Sequence, residues 1–444
     1  MRRNIYQMLW MMIVIVVIAT ACSNSSSEET VVGNEGPLQT FAIQCGDSYF
    51  RRFIDQTTHI VSLSGIRYST DITGVDYQLV EGATIHPDPK EVIVWKQTQE
   101  FTVSTANGEK TVYTINLPEL KEVQPKPEGT IVLGYLPLNM IQSENQFSHV
   151  RWQYLTHLAI CFVKVKSDGT LYTEEAVNQY IEKVRDIAKQ NEVKVLISFI
   201  QYQKTEFATA ISNPTTRTKV VKGILDFVEQ YKLDGFDIDY EDYSNWDQNY
   251  PALMTFIEEL YEAKEATNPD WLMTSAVANP KWLNYGREWA SYFDFLNLMI
   301  YDRNTPSGTT TPGNHSTVDD FISTMKYWNE TLRVPKEKLV GGLPFYGYTW
   351  DKELPGADNV GAISYKNILS AYKNVSGIET LNHYGRTYWN GPNMIREKCQ
   401  YTKDNMFGGV MIWQIFQDLL DDSPNNLIDV IGDVFEMDNN QPEN

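Results

Sequence analysis

Along the last two thirds of the chain, short apolar runs alternate with amphipathic stretches. The runs fall at residues 131–135, 158–163, 193–199, 235–240, 273–277, 295–301, 339–345 and 409–413. Most are nearly continuous in hydrophobicity and bounded by polar or turn-forming residues, the pattern of a strand buried on both faces, while 235–240 alternates apolar residues with Asp. Between them lie segments with helical spacing of apolar positions, such as 173–190 and 216–231. Eight buried strands alternating with helices over residues 129–435 match the size of a (β/α)8 TIM barrel, an α/β fold. A doubly wound open sheet gives the same alternation, and the pattern alone does not separate the two.

Upstream, residues 38–120 follow another rhythm. Short β-like runs, such as 59–63, 92–95 and 101–104, are broken by turn formers. Asn107-Gly108 stands between the runs 101–105 and 111–117, a strong hairpin signal. Several short strands at this spacing predict a small all-β sandwich. The segment resembles the immunoglobulin-like modules that precede catalytic domains in secreted bacterial enzymes. It shows no convergent acid, base or metal cluster and reads as a spacer; sugar binding through Trp95 or Tyr49 is the alternative. Residues 121–128, with Pro125 and Pro127, predict an extended linker, and 436–444 a tail.

The N-terminus reads as an address. Arg2 and Arg3 precede an uncharged run over 4–21, densely apolar from Met8 to Ile18. Ile18-Ala19-Thr20-Ala21-Cys22 resembles a bacterial lipobox, with Ala19 where Leu is usual. The resemblance implies a signal over 1–22, lipidation at Cys22 and a membrane partner through the lipid anchor. An uncleaved transmembrane anchor is the alternative, since the run is nearly long enough to span a bilayer. Residues 23–37 are polar and predict a flexible tether. Glu28 and Glu29 resemble signals that send lipoproteins to the outer face of the outer membrane. The expected location is the bacterial cell envelope, as a surface-exposed outer-membrane lipoprotein, which protease shaving of intact cells checks.

Composition narrows the partners. A formal net charge of -20 gives an acidic surface that repels phosphate backbones, so nucleic acid is not expected. The 26 Tyr, 18 Phe and 11 Trp supply rings that either fill the core or stack on sugar faces. The cysteines Cys22, Cys45, Cys161 and Cys399 match no metal-binding spacing. Cys161 lies in an apolar run and reads as a small core residue. A Cys45–Cys399 bridge stays open, although the two fall in different predicted domains.

The chemistry concentrates in Asp234-Gly235-Phe236-Asp237-Ile238-Asp239-Tyr240-Glu241. Strand side chains alternate faces, so Asp237, Asp239 and Glu241 project to one side and Phe236, Ile238 and Tyr240 to the other. Closely spaced carboxylates do not all ionise cheaply, and at least one pKa must rise. Glu241 sits at the C-terminal end, where barrel active sites lie, and a Glu with a raised pKa suits a general acid. Asp234, at the strand's start, reads as a cap or buttress. A structural acidic strand or a metal site is the alternative for the whole ladder.

Asp-x-x-Asp-x-Asp-x-Glu resembles the signature of family 18 glycoside hydrolases, the chitinase and endo-β-N-acetylglucosaminidase family. Other segments follow in order. Residues 293–302, ending Met299-Ile300-Tyr301-Asp302, resemble the family's sixth strand. Residues 339–347 resemble the seventh, and 408–413, with Trp413, the eighth. There are departures. Ser198 is followed by Phe199, Ile200 and Gln201 where the family often has Gly-Gly, Tyr240 replaces a frequent Trp, and residues 349–407 are short for the full α+β insertion.

The resemblance implies a retaining mechanism assisted by the substrate. Glu241 would protonate the leaving oxygen, and the substrate's acetamido oxygen would attack the anomeric carbon. Asp239 would orient the acetamido group, with Asp237 holding Asp239 and sharing its proton. Tyr301 would hydrogen-bond the acetamido oxygen. Trp413, Asp302, Met299 and Tyr135 would bind the sugar, with barrel packing the alternative for Tyr301, Trp413, Met299 and Tyr135. The expected partner is a glycan containing N-acetylglucosamine, with no metal or organic cofactor. Three functions stay in play: a chitinase, an endo-β-N-acetylglucosaminidase acting on N-linked glycans, and a non-catalytic lectin on the same barrel.

Overall fold

The computed structural model describes residues 36–437, apart from 46–47, 52–53, 63–71, 73, 93–94, 97, 117–128, 142, 279–282, 284, 286 and 420–424. The signal, Cys22, most of the tether, the linker 121–128 and the end of the tail lie outside the described residues.

The N-terminal region contains β1 (Leu38–Cys45), β2 (Ser48–Arg51), β3 (Ile54–Asp55), β4 (Ile60–Ser62), β5 (Gly74–Leu79), β6 (Thr84–His86), β7 (Thr98–Ser104) and β8 (Lys110–Asn116). They form two sheets, ordered β2-β1-β5 and β3-β4-β8-β7-β6. Leu38 and Phe41 from the first sheet share one core with Phe101, Val103, Tyr113 and Ile115 from the second. The expected hairpin is present: Ser104 pairs with Lys110, and Gly108 takes a φ of 87°, a left-handed value open to glycine at little steric cost. The run 92–95 is no strand at its ends. Val92 closes the 3-10 turn Pro89–Glu91, and Trp95 turns into the core.

The rest of the chain builds β9 (Ile131–Pro137), β10 (His157–Val165), β11 (Leu171–Thr173), β12 (Lys194–Gln201), β13 (Gly235–Asp239), β14 (Leu272–Val277), β15 (Phe295–Leu298), β16 (Leu339–Pro344), β17 (Tyr346–Thr349), β18 (Ala362–Ser364), β19 (His383–Tyr384), β20 (Thr387–Trp389) and β21 (Gly409–Trp413). β9, β10, β12 to β16 and β21 run parallel, and pairing of β9 with both β21 and β10 closes the ring. Closure decides for the (β/α)8 barrel over the open sheet.

The helices are α1 (Glu175–Gln190), α2 (Glu206–Ser212), α3 (Pro214–Tyr231), α4 (Trp246–Thr267), α5 (Val318–Lys326), α6 (Tyr365–Ala371), α7 (Pro392–Asp404) and α8 (Leu427–Phe435). Local sequence sets their ends. Asn213 accepts the N–H of Thr215 at 2.9 Å, Pro214 opens α3, and Lys232 ends it in a left-handed turn. Helix α1 buries Val177, Ile181, Val184 and Ala188, a stripe at helical spacing.

Strand faces divide as period two demands. Phe236 and Ile238 of β13 point outward into the core shared with the helices. Leu133 and Tyr135 of β9, Leu196 of β12 and Ala276 of β14 point into the barrel. β17 to β20 form a small sheet, ordered β18-β17-β20-β19, which with α6 makes an insertion between β16 and α7. Two strand ends differ from the sequence reading. β13 stops at Asp239, one residue before Tyr240, and β15 stops at Leu298. Met299 still donates its N–H to Val277 at 2.9 Å, but the chain then leaves the sheet. Cys161 and Cys399 are buried free thiols, so Cys399 is in no bridge; the Cys45 side chain lies outside the described residues.

Candidate active site

The site is built in layers inside the barrel. Leu196 and Leu272, level with Gly235, form an apolar floor. Asp234, just before β13, accepts the N–H of Val195 at 2.8 Å and so ties β12 to β13, the buttress its position predicted.

Asp237 sits above the floor and is fully buried. One carboxylate oxygen accepts hydrogen bonds from the hydroxyls of Tyr135 at 3.0 Å and Ser198 at 2.8 Å. The other accepts from Thr274 at 2.7 Å and the Asn297 amide at 3.2 Å. Burial raises its pKa and these donors pull it back, leaving it above the ordinary value.

Asp239 lies two residues on, 4 % exposed, and its Oδ1 is buried without a hydrogen-bond partner. Burial, then the charges of Glu241 and Asp237, push its pKa well up. Glu241 follows beyond the strand end, at the pocket mouth, and its N–H donates to Gln201 Oε1 at 3.1 Å. The residue is partly open to solvent, yet protein crowds around it. Desolvation first, and the Asp302 charge second, push its pKa up to about 7. Both carboxyls are thus held above the ordinary carboxylate range, Asp239 in part by the charge of Glu241.

Asp302 supplies the third carboxylate. It takes a φ of 62°, a left-handed conformation that Asp tolerates better than most residues. Tyr346 and Tyr348 donate their hydroxyls to Oδ1, the latter at 3.1 Å, and His315 Nδ1 lies 3.3 Å away. Burial alone would raise its pKa, but the His315 ring facing it and the bonds from the two tyrosines hold it below the ordinary value. Asp302 therefore stays ionised beside Glu241.

These groups surround a cavity of about 230 Å³. The sequence-predicted Tyr135, Asp239, Glu241, Met299, Tyr301, Asp302 and Trp413 all line it. Asp237 lies beneath and reaches the pocket through its neighbours. Tyr135 serves twice, with its ring on the pocket and its hydroxyl committed to Asp237. Trp413 lies on Phe162, with ring centroids 5.9 Å apart and planes at 29°, and meets the Tyr135 edge at 5.6 Å. Gly342 leaves room for Tyr301: a Cβ there would fall 2.4 Å from the Leu298 carbonyl and 3.0 Å from the Tyr301 ring.

Sequence reasoning did not assign site roles to Phe162, Ile200 and Ala276, which also line the cavity, or to Gln201, Tyr346, Tyr348 and His315, which hold its acids. Ile200 and Gln201 were visible as bulk where a small pair is usual. A larger cavity of about 680 Å³ lies between residues 306–310 and the insertion, beside Trp350 and Arg386. Its Asp351 and Asp358 carboxylates accept backbone N–H groups of their own turns, so the paired-acid chemistry belongs to the smaller pocket. Among the described residues, no group of three or more His, Cys, Asp or Glu is placed to hold a metal ion.

Residues 131–418 match the family model of glycosyl hydrolases family 18, and residues 1–125 match a domain of unknown function. Among solved structures, the chain is similar to a chitinase from Bacteroides thetaiotaomicron, at 43% identity and a TM-score of 0.66, over 71% of this chain and 99% of that one. It is also similar to a chitinase from the chitin utilization locus of Flavobacterium johnsoniae, at 28% identity and a TM-score of 0.59, over 70% of this chain and 94% of that one. Human YKL-39, described as a pseudo-chitinase with retained chitooligosaccharide binding, shares the fold at 18% identity and a TM-score of 0.60, over 69% of this chain and 100% of that one. A chitinase-like effector of Moniliophthora roreri is 28% identical over 224 residues, 45% of this chain and 54% of that protein. The chain spans about half the length, or less, of the first three curated relatives it matches.

Proposed function

The chain belongs to glycosyl hydrolase family 18, and from that premise we propose that it is a chitinase-like glycosidase that cleaves β-1,4 bonds next to N-acetylglucosamine with retention of configuration. One observation carries the reading. Asp239 and Glu241 face one small pocket in which burial raises both their pKa values, and Asp239 Oδ1 is left without a partner.

Each step uses a group placed for it. Protonated Glu241 gives its proton to the glycosidic oxygen as the bond to the anomeric carbon breaks. The 2-acetamido oxygen of the same sugar bonds to that carbon, so the nucleophile arrives at high effective molarity. The unsatisfied Asp239 oxygen accepts the acetamido N–H and balances the positive ring that forms. The Tyr301 hydroxyl has a weak contact, 4.0 Å to Met411 sulfur, and is free to donate to the acetamido oxygen. Trp413 offers its ring to the sugar. Glu241, now ionised, takes a proton from water, which adds to the anomeric carbon and opens the ring. Lipidation of Cys22, with Glu28 and Glu29 as the signal for the outer face of the outer membrane, would place this pocket outside the cell, where glycan polymers are met.

A second reading has one observation in its favour. Ile200 and Gln201 bring bulk to the third strand's end, with Ile200 on the pocket wall, and this reshapes the cleft as a branched N-glycan core would need. Incubation with chitooligosaccharides and with an N-glycoprotein, read by mass spectrometry, separates the two. Shortened chitooligosaccharides are expected. Released glycan with one N-acetylglucosamine left on the protein would replace the chitinase reading. Binding without cleavage of either would favour a lectin.

A further inference from the structure

We propose that His315 is a positioning residue for the acid Glu241, acting through Asp302; this rests on the glycosidase reading above. His315 lies between β15 and α5 and is fully buried. Its Nε2 is 3.2 Å from the carbonyl oxygen of Tyr346, which can only accept, so Nε2 carries the proton. Its Nδ1 is 3.2 Å from the backbone N–H of Asp302, which can only donate, so Nδ1 offers its lone pair. One neutral tautomer thus satisfies both ring nitrogens. The ring is also held by Tyr346 and Tyr348, with centroids 4.8 Å and 5.0 Å away.

What this ring fixes is the Asp302 peptide, in the left-handed turn that aims the carboxylate at the pocket. Tyr346 and Tyr348 hold the carboxylate, and His315 holds the backbone behind it.

The groups packed around the ring are few. Asp302 faces it from its own loop, and Tyr346 and Tyr348 face it from β17. Arg303 gives its backbone N–H to the His315 carbonyl at 3.1 Å, while its guanidinium pairs with Asp320. Lys398 of α7 anchors the next residue, donating to the Ser316 carbonyl at 2.8 Å and hydroxyl at 2.7 Å. Asp302 is therefore the charge that meets the imidazole, and Asp302 in turn faces Glu241 together with Asp239, Tyr301 and Tyr243. Loss of the backbone tie frees the Asp302 charge to leave Glu241, and the acid then gives up its proton at lower pH.

The full chain tests this with His315→Asn, whose carbonyl stands where Nδ1 does, and His315→Gln, whose amide reaches the Nε2 position instead. The probe is an aryl chitobioside, and the readout is the alkaline limb of kcat/KM against pH, with melting temperature as the check on folding. The asparagine variant is expected to keep the parent's limb. The glutamine variant is expected to move it to lower pH by about one unit, the size of effect a nearby charge exerts. His315→Ala carries the same expectation if the glutamine variant does not fold. An unmoved limb in the glutamine or alanine variant, or equal shifts in both amide variants, overturns the proposal. Failure of the glycosidase reading looks different: the parent itself shows no turnover. The same comparison then rests on the Glu241 carboxyl titration followed by carbon NMR, with the same shifts expected and the same results overturning it.

Discussion

Asp237 and Asp239 sit two residues apart on β13 and do opposite things. Asp237 is saturated by four donors from β9, β12, β14 and β15, whereas Asp239 keeps a buried oxygen unsatisfied. The first is an internal clasp of the barrel and the second a group held ready for a ligand. Asp237→Ala would strand Tyr135, Ser198, Thr274 and Asn297 without their acceptor. The expected cost is about 3 kcal/mol or more of unfolding free energy, measured by denaturant titration. A loss below about 1 kcal/mol would contradict the clasp. The ladder itself was legible, because alternation along a strand puts Asp237, Asp239 and Glu241 on one side. Its partners were not. Tyr135 lies 102 residues away and Asn297 60, and no local pattern announces such contacts. The sequence-based expectation that Asp237 holds Asp239 has no hydrogen bond behind it among the described residues, since the Asp237 oxygens are taken up by other strands.

At the scale of elements, the ring of strands depends on close approach at their starts. Gly235 has a φ of 155°, and a Cβ there would lie 2.1 Å from the Leu272 carbonyl oxygen. Gly235→Ala must push β14 away from β13, directly below Asp237. A loss of about 1–3 kcal/mol is expected, as for overpacking elsewhere, read as a lower denaturation midpoint. A variant as stable as the parent would show that β14 yields freely. All eight barrel strands could be read from the chain because each is short and mainly apolar, with β13 marked instead by acids alternating with apolar residues. Their ends were harder. Residues 299–301 look like a continuation of β15, yet the left-handed Asp302 turns the chain out toward β17, and that turn is set by tertiary contacts with His315, Tyr346 and Tyr348. The start of the run 92–95 misled for a related reason, because the preceding Pro89 favours a 3-10 turn and takes Val92 into its close.

At the scale of the whole molecule, the hydrophobic pattern leaves an open sheet and a closed barrel equal, and the pairing of β9 with β21 and β10 separates them. Closure matters to function, because it brings the ends of β9, β13, β15 and β21 around one pocket where an open sheet would spread them along a line. The insertion between β16 and α7 was legible as a reduced one, but its contribution was not: β17 reaches back with Tyr346 and Tyr348 to clamp an acid of the site. The N-terminal sheets share a separate core, and their hairpin was announced by Asn107-Gly108. The central claim joins all three scales, since it needs Glu241 to act as the acid, Asp239 to steer the acetamido group, and the barrel to hold both. Proton NMR of chitooligosaccharide hydrolysis, run on the parent and on Glu241→Gln, tests it most directly. The account predicts that new reducing ends appear first as the β-anomer, and that the folded variant is slower by about 10²–10⁴-fold. An α-anomer formed first, or a variant that keeps the parent's rate, would contradict it.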